Sequence, residues 1–141
     1  MSPKLVECQG QVVNAFMDSL APGLSWRKAF IHAEFGAEDA LAQSLTEAFL
    51  VLARPDPARP HSLPLESAVM QALEHLHRDY RAAGHGFHQL DLILDAPDGR
   101  YRFEFSHTPS LRLSGQRDPD ARPRLARRYA ALLAELGLPA R

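Results

Sequence analysis

Hydrophobic positions along the chain fall into a few periodic blocks. Over residues 4–20, Leu5, Val12, Val13, Phe16 and Leu20 recur at helical spacing, with Val6 and Met17 on the margin of the stripe. Lys4, Glu7, Asn14 and Asp18 lie elsewhere, so the pattern predicts an amphipathic helix. Ala21-Pro22-Gly23 stops it. Over residues 26–35, Ala29, Ile31, Ala33 and Phe35 alternate with Lys28, Phe30, His32 and Glu34, which predicts a strand. Phe30 is out of step on the polar side. Burial on a second face of the sheet, or contact with a partner, would each account for it.

Residues 37–53 read two ways. Leu41, Leu45, Ala48, Phe49 and Leu52 fit a helix, and the Ala, Glu, Gln and Leu content favours one. The run Phe49-Leu50-Val51-Leu52 also suits a buried strand, with residues 43–53 returning as the second arm of a hairpin. Pro55, Pro57, Pro60 and Pro64 mark a surface loop over 54–64. Residues 65–83 form the clearest helix: Leu65, Val69, Ala72, Leu73, Leu76, Tyr80 and Ala83 share a stripe, with Pro64 near the first turn and Gly84 at the C′ position. Residues 87–106 form the clearest hairpin. Leu90, Leu92 and Leu94 alternate with Asp91, Ile93 and Asp95, and Ala96-Pro97-Asp98-Gly99 supplies the turn. Tyr101, Phe103 and Phe105 then alternate with Arg100, Arg102 and Glu104. After a loop over 107–119, residues 120–136 predict a last helix, with Asp120 as its N-cap and Leu125, Tyr129, Leu132, Leu133 and Leu136 on one face.

This order of elements predicts an α+β fold, with an antiparallel sheet of about four strands packed against two or three helices, in a single domain over residues 1–141. The net charge of −1 creates no overall field that favours nucleic acid or an anionic membrane. The longest apolar run, Ala48 to Ala53, is far too short to span a bilayer. No apolar signal core follows the N-terminal Met1-Ser2-Pro3-Lys4, and Cys8 alone can form no internal disulfide. A reducing, cytoplasmic setting is therefore expected.

The candidate chemistry is sparse. His75 and His77 stand two apart on a helix and diverge, so they cannot share an ion. His85 and His88 flank a Gly-rich turn and could join His107, but no carboxylate or cysteine completes a recognised ligand spacing. His77-Arg78-Asp79 echoes the kinase catalytic-loop tripeptide, but the rest of that signature is missing. Cys8, beside an apolar stripe, reads as core. No catalytic residue, metal or cofactor is expected. Arg112, Arg117, Arg122, Arg124, Arg127 and Arg128 crowd one segment, and Arg124, Arg127 and Arg128 share the polar face of the last helix. They suit a phosphate-contacting stripe. Arginine outnumbers lysine 14 to 2 throughout, however, so a solvated helix face is the plainer reading. Glu34, Glu38, Asp39 and Glu47 lie in a segment with no basic residue and would steer a basic partner, unless they are simply a solvated acidic loop. Trp26, after Pro22-Gly23, reads as a core or edge anchor.

Several short stretches share a pattern. They are Trp26 opening a strand that contains Ile31-His32-Ala33-Glu34, Phe87-His88-Gln89-Leu90-Asp91-Leu92, a turn with Gly99, Tyr101-Arg102-Phe103-Glu104-Phe105, and Arg127-Arg128-Tyr129 in the last helix. Together they resemble the YezG-like immunity proteins of bacterial polymorphic toxin systems, over about residues 4–133. The resemblance implies an antiparallel α+β fold, a strand rather than a helix at 43–53, and a non-enzymatic cytoplasmic antitoxin. Its partner would be a cognate protein toxin, often a nuclease, whose active site it covers. On that reading Glu34, Glu38, Asp39 and Glu47 are the expected partner-binding residues, imitating phosphate in a basic groove. The rivals from other classes are a nucleic-acid-binding module using Arg124, Arg127 and Arg128, and a small enzyme or ligand-binding protein using the region of His85, His88 and His107. The exposed hairpin also leaves room for a homodimer.

Overall fold

The computed structural model describes residues 3–20, 25–36, 43–96 and 98–138. The elements run α1 (Pro3–Ser19), β1 (Trp26–Phe35), β2 (Ser44–Leu52), β3 (His61–Ser62), α2 (Ser67–Ala82), β4 (Gln89–Asp95), β5 (Tyr101–Ser106), a 3₁₀ turn (Arg112–Ser114) and α3 (Ala121–Glu135). The strands form one antiparallel sheet in the order β3-β2-β1-β4-β5. The fold is α+β, as the pattern predicts, with five strands where about four are expected. The additional strand is the two-residue β3 inside the proline-rich loop. It pairs with Phe49 and Leu50 of β2, and Leu63 N–H donates to Ala48 O at 3.1 Å. Flanking prolines are tolerated there because an edge strand needs its N–H groups on one side only.

Helices cover both faces of the sheet. On the first face, α1 and α2 lay Leu5, Val12, Phe16, Val69, Leu73 and Leu76 against Ala29, Ile31 and Ala33 of β1 and Leu90, Leu92 and Leu94 of β4. On the second face, α3 lays Tyr129, Leu132 and Leu133 on Phe30, Phe49, Val51 and Ile93. This places Phe30: it is a core residue of the second layer, 4.8 Å from the ring of Phe49. Fully burying such a side chain contributes roughly 1.5–3 kcal/mol.

The same two-sided burial decides residues 44–52. Leu50 packs on the first face while Phe49 and Val51 pack on the second, a use of alternate positions that one helix stripe cannot satisfy. The helical reading of 37–53, drawn from propensity, is therefore overturned over 44–52 by tertiary burial. Residues 37–42 lie outside the described residues.

The helix ends follow their local chemistry in part. Gly84 takes φ +80°, and the bonds from His85 N–H to Tyr80 O (2.8 Å) and from Gly84 N–H to Arg81 O (3.1 Å) close a Schellman motif after α2. Gly137, at φ +74°, does the same after α3. Pro64 lies three residues before α2 begins rather than in its first turn. Asp120 holds the N-cap position of α3, but its side chain makes no cap bond and instead accepts from Arg127 at 2.9 Å.

Candidate functional site

On β1 the side chains facing α3 are Lys28, Phe30, His32 and Glu34, and all four are buried. Between them they divide the second face into an apolar middle and two charged ends. At one end Lys28 pairs with Asp95 and, at 3.0 Å, with Glu135, which also takes Arg102 Nη2 at 2.8 Å. The other end is larger and holds the candidate site.

Register brings the site together. His32 stands opposite Glu47 on β2 and opposite Asp91 on β4, and Asp91 stands opposite Glu104 on β5. One row across four strands thus carries four ionisable groups. His32 Nδ1 meets Asp91 Oδ1 at 2.6 Å, and His32 Nε2 meets Glu34 Oε2 at 2.7 Å. With ionised carboxylates on both ring nitrogens, the arrangement favours the doubly protonated imidazolium. Burial alone would push its pKa down. The hydrogen bonds to Asp91 and Glu34 outweigh that and raise it above the ordinary value.

Glu34 is 0% exposed. Burial would raise its carboxyl, but bonds from Arg112, Ser110 and His32 bring it down to about 2. Ser110 Oγ donates to Oε1 at 2.6 Å, and Arg112 Nη2 donates to Oε2 at 2.6 Å and to Glu47 at 2.7 Å. The loop after β5 supplies both donors, so the network also pins that loop across the sheet. From α3, Arg124 reaches Asp118 at 2.9 Å and Glu34 at 3.4 Å. Arg128 reaches Asp91 at 2.8 Å and Glu104 at 2.7 Å, with its guanidinium 5.6 Å from the centre of the Phe30 ring. Four cations, His32, Arg112, Arg124 and Arg128, thus meet five carboxylates, Glu34, Glu47, Asp91, Glu104 and Asp118.

Two shallow clefts of about 290 and 300 Å³ open above this network and share His32, Asp91 and Arg124 as lining. Glu104, Ser106 and Thr108 border the first, and Phe30, Arg127 and Arg128 the second. A larger groove of about 830 Å³ runs between β2, the proline-rich loop and α3, past Phe49, Leu63, Arg122 and Leu125.

The expected site residues are only partly gathered. Of the acidic quartet, Glu34 is an interior group that no partner can reach, because the strand alternation that exposes an edge carboxylate buries this one in a central strand. Arg112 compensates Glu34 and Glu47 directly, so the segment lacks a base only in sequence. Glu47 is the member of the pair with exposed surface, and Glu38 and Asp39 lie outside the described residues. The arginine stripe is not an uncompensated basic surface either. Arg124 and Arg128 are held in the network, and Arg127, 63% exposed, pairs with Asp120.

His32, Asp91 and Arg112 carry the site, and of these the sequence pattern singles out only Arg112, as one of a cluster of arginines suited to phosphate. The available signal was polar residues at matched positions of two strands otherwise buried on both faces. Histidine is not confined to the surface here: His77 stacks on Phe35 with ring centres 4.2 Å apart, while His75 points to Asp79.

For metal binding, two groups of side chains come close enough to be considered among the described residues: His32, Glu34 and Glu47, and Cys8, His75 and Asp79. In the first, the Arg112 guanidinium already bridges the two carboxylates, which is the place a metal cation would take. In the second, burial, together with the bond to Asp79 at 2.9 Å, pushes the Cys8 thiol up to about 11, away from the thiolate a metal needs. His85, His88 and His107 are not among these groups. No helix is long and apolar enough to cross a membrane among the described residues. No family model matches the chain, and no curated protein matches it.

Proposed function

We propose that this chain is an immunity-type protein that binds a cognate protein toxin and neutralises it by covering the toxin's active site. The charged end of the second sheet face is the contact surface in this reading. One observation carries it: the network locks carboxylates and guanidinium groups in fixed positions around the mouth of two adjoining clefts. A pre-ordered, mixed-charge surface loses little side-chain entropy on docking and discriminates between partners by charge placement. It is a poor surface for nucleic acid. Binding phosphate depends on cations free to release counterions, whereas here Asp91 and Glu104 share the patch with Arg128 and would repel phosphate. His32 has both ring nitrogens engaged, which suits a structural cation better than a proton carrier. The resemblance to YezG-like proteins and the α+β fold point the same way.

The test is capture followed by rescue. A protein captured by this chain from the cytoplasm of its source is expected to arrest growth when expressed alone and to be harmless when the two are co-expressed. Arg127→Glu, at the cleft rim, is expected to weaken the complex about tenfold, mainly through slower association. Capture of nucleic acid alone, or a captured protein whose toxicity co-expression leaves unchanged, overturns the proposal.

A further inference from the structure

Strand β5 ends the sheet, and no strand lies beyond it among the described residues. Its hydrogen-bonding parity is fixed by the turn that precedes it. Asp95 N–H donates to Arg100 O at 2.8 Å, and the register continues Ile93↔Arg102 and Asp91↔Glu104. The backbone groups of Arg102 and Glu104 therefore point at β4, and those of Tyr101, Phe103 and Phe105 point outward from the sheet edge. The side chains alternate in the same way. Arg102 and Glu104 lie on the α3 face and are held by Glu135 and Arg128, while Tyr101, Phe103 and Phe105 form a row on the other face, with adjacent ring centres 5.9 Å apart. Tyr101 is 40% exposed.

We infer that β5 pairs antiparallel with β5 of a second copy, about a twofold axis at Phe103, to make a continuous sheet across a homodimer. Charge selects that axis. Outward parity allows self-pairing centred on any one residue of β5; centring on Phe103 or Glu104 overlaps five residues of the strand, more than any other choice, and Arg102 is the neighbour on the other side. Centring on Arg102 sets Arg102 against itself, and centring on Glu104 sets Glu104 against itself. Centring on Phe103 sets Arg102 against Glu104 of the other copy twice over. It also places Phe103 against Phe103 and Tyr101 against Phe105, the aromatic cross-strand pairs that stabilise sheets. Charged residues on an edge strand ordinarily discourage pairing; here the same two charges forbid the neighbouring registers and favour one. The axis is normal to the sheet, so both charged networks face the same side of the dimer. This inference does not rest on the toxin-binding reading, since it concerns only the chain and its copy.

Sedimentation or light scattering on the intact protein is the test. Wild type is expected at twice the monomer mass. Arg102→Glu and Glu104→Arg, each alone, are expected to raise the dimer dissociation constant about tenfold or more, because the twofold axis makes each substitution count twice. Mixing the two single variants is expected to restore a dimer that neither forms alone. Phe103→Pro removes an outward N–H without breaking a bond to β4, and is expected to give a folded monomer by circular dichroism. A monomeric wild type, a dimer untouched by Phe103→Pro, or no recovery on mixing overturns the inference.

Discussion

Leu92 and Ile93 are neighbours on β4, both fully buried, and they look onto different interiors. Leu92 enters a continuous apolar layer under α1 and α2. Ile93 enters a small apolar cluster under α3, flanked along the strand by Asp91 and Asp95, both of which are ion-paired. The first interior is held mainly by area removed from water, with specific polar bonds only at its margin, such as Cys8 to Asp79 and Gln9 to Tyr80. The second is held by charges that must each find a particular counter-charge. One face of the sheet is a core, and the other is a core plus a wired surface. The wiring brings the loop after β5 and the start of α3 to the sheet.

The largest expected effect breaks the second face alone. Glu34→Gln leaves the buried His32 and the half-buried Arg112 each short of one of two counter-charges, and should cost about 3–5 kcal/mol in denaturant unfolding. Leu92→Ala and Ile93→Ala form the direct comparison. Each should cost about 2–5 kcal/mol, with the larger loss on the side that collapses less well around the cavity. A loss under 1 kcal/mol at Ile93 would show that α3 is not packed on the sheet. Arg128→Ala removes the bonds to two carboxylates, Asp91 and Glu104, and the contact with Phe30 together, and should cost about 1–3 kcal/mol.

The dependence on pH sharpens the contrast further, because the second face adds to it a directly bonded carboxylate and imidazole, Glu34 and His32. Glu34 is held near 2, so its contribution is present above its ordinary value of 4.5 and lost as pH falls below that. His32 is raised above 6.5, so its contribution is present below 6.5 and lost as pH rises through the folded value. Both are in force between about 4.5 and 6.5, where unfolding curves should place these two groups' joint maximum. His32→Gln should flatten the alkaline limb.

The two faces also differ in how far the chain discloses them. The first face follows from periodicity: the stripes of α1 and α2 and the alternation of Leu90, Leu92 and Leu94 all place residues where they are buried. The second face was legible only where it is apolar. Phe30, out of step with its strand, and the 120–136 stripe both pointed to it. Its charged end was not legible, because His32, Glu34, Asp91 and Arg112 read singly as solvent-facing polar residues. Their pairing depends on the registers His32↔Asp91 and His32↔Glu47, and on a loop folding back from residue 110. None of these is local information. For the same reason Glu34 read as a partner contact and Arg124 as a phosphate contact, when each is part of the other's environment.

His32 is the point on which this account turns, and NMR of its side chain tests it most directly. With both ring nitrogens bound to carboxylates, two ring N–H signals should be present below pH 6.5, and the titration midpoint should lie above 6.5. A neutral single-tautomer ring below pH 6.5, or a midpoint at or below 6.5, would contradict the ion-pair network on which the second face rests.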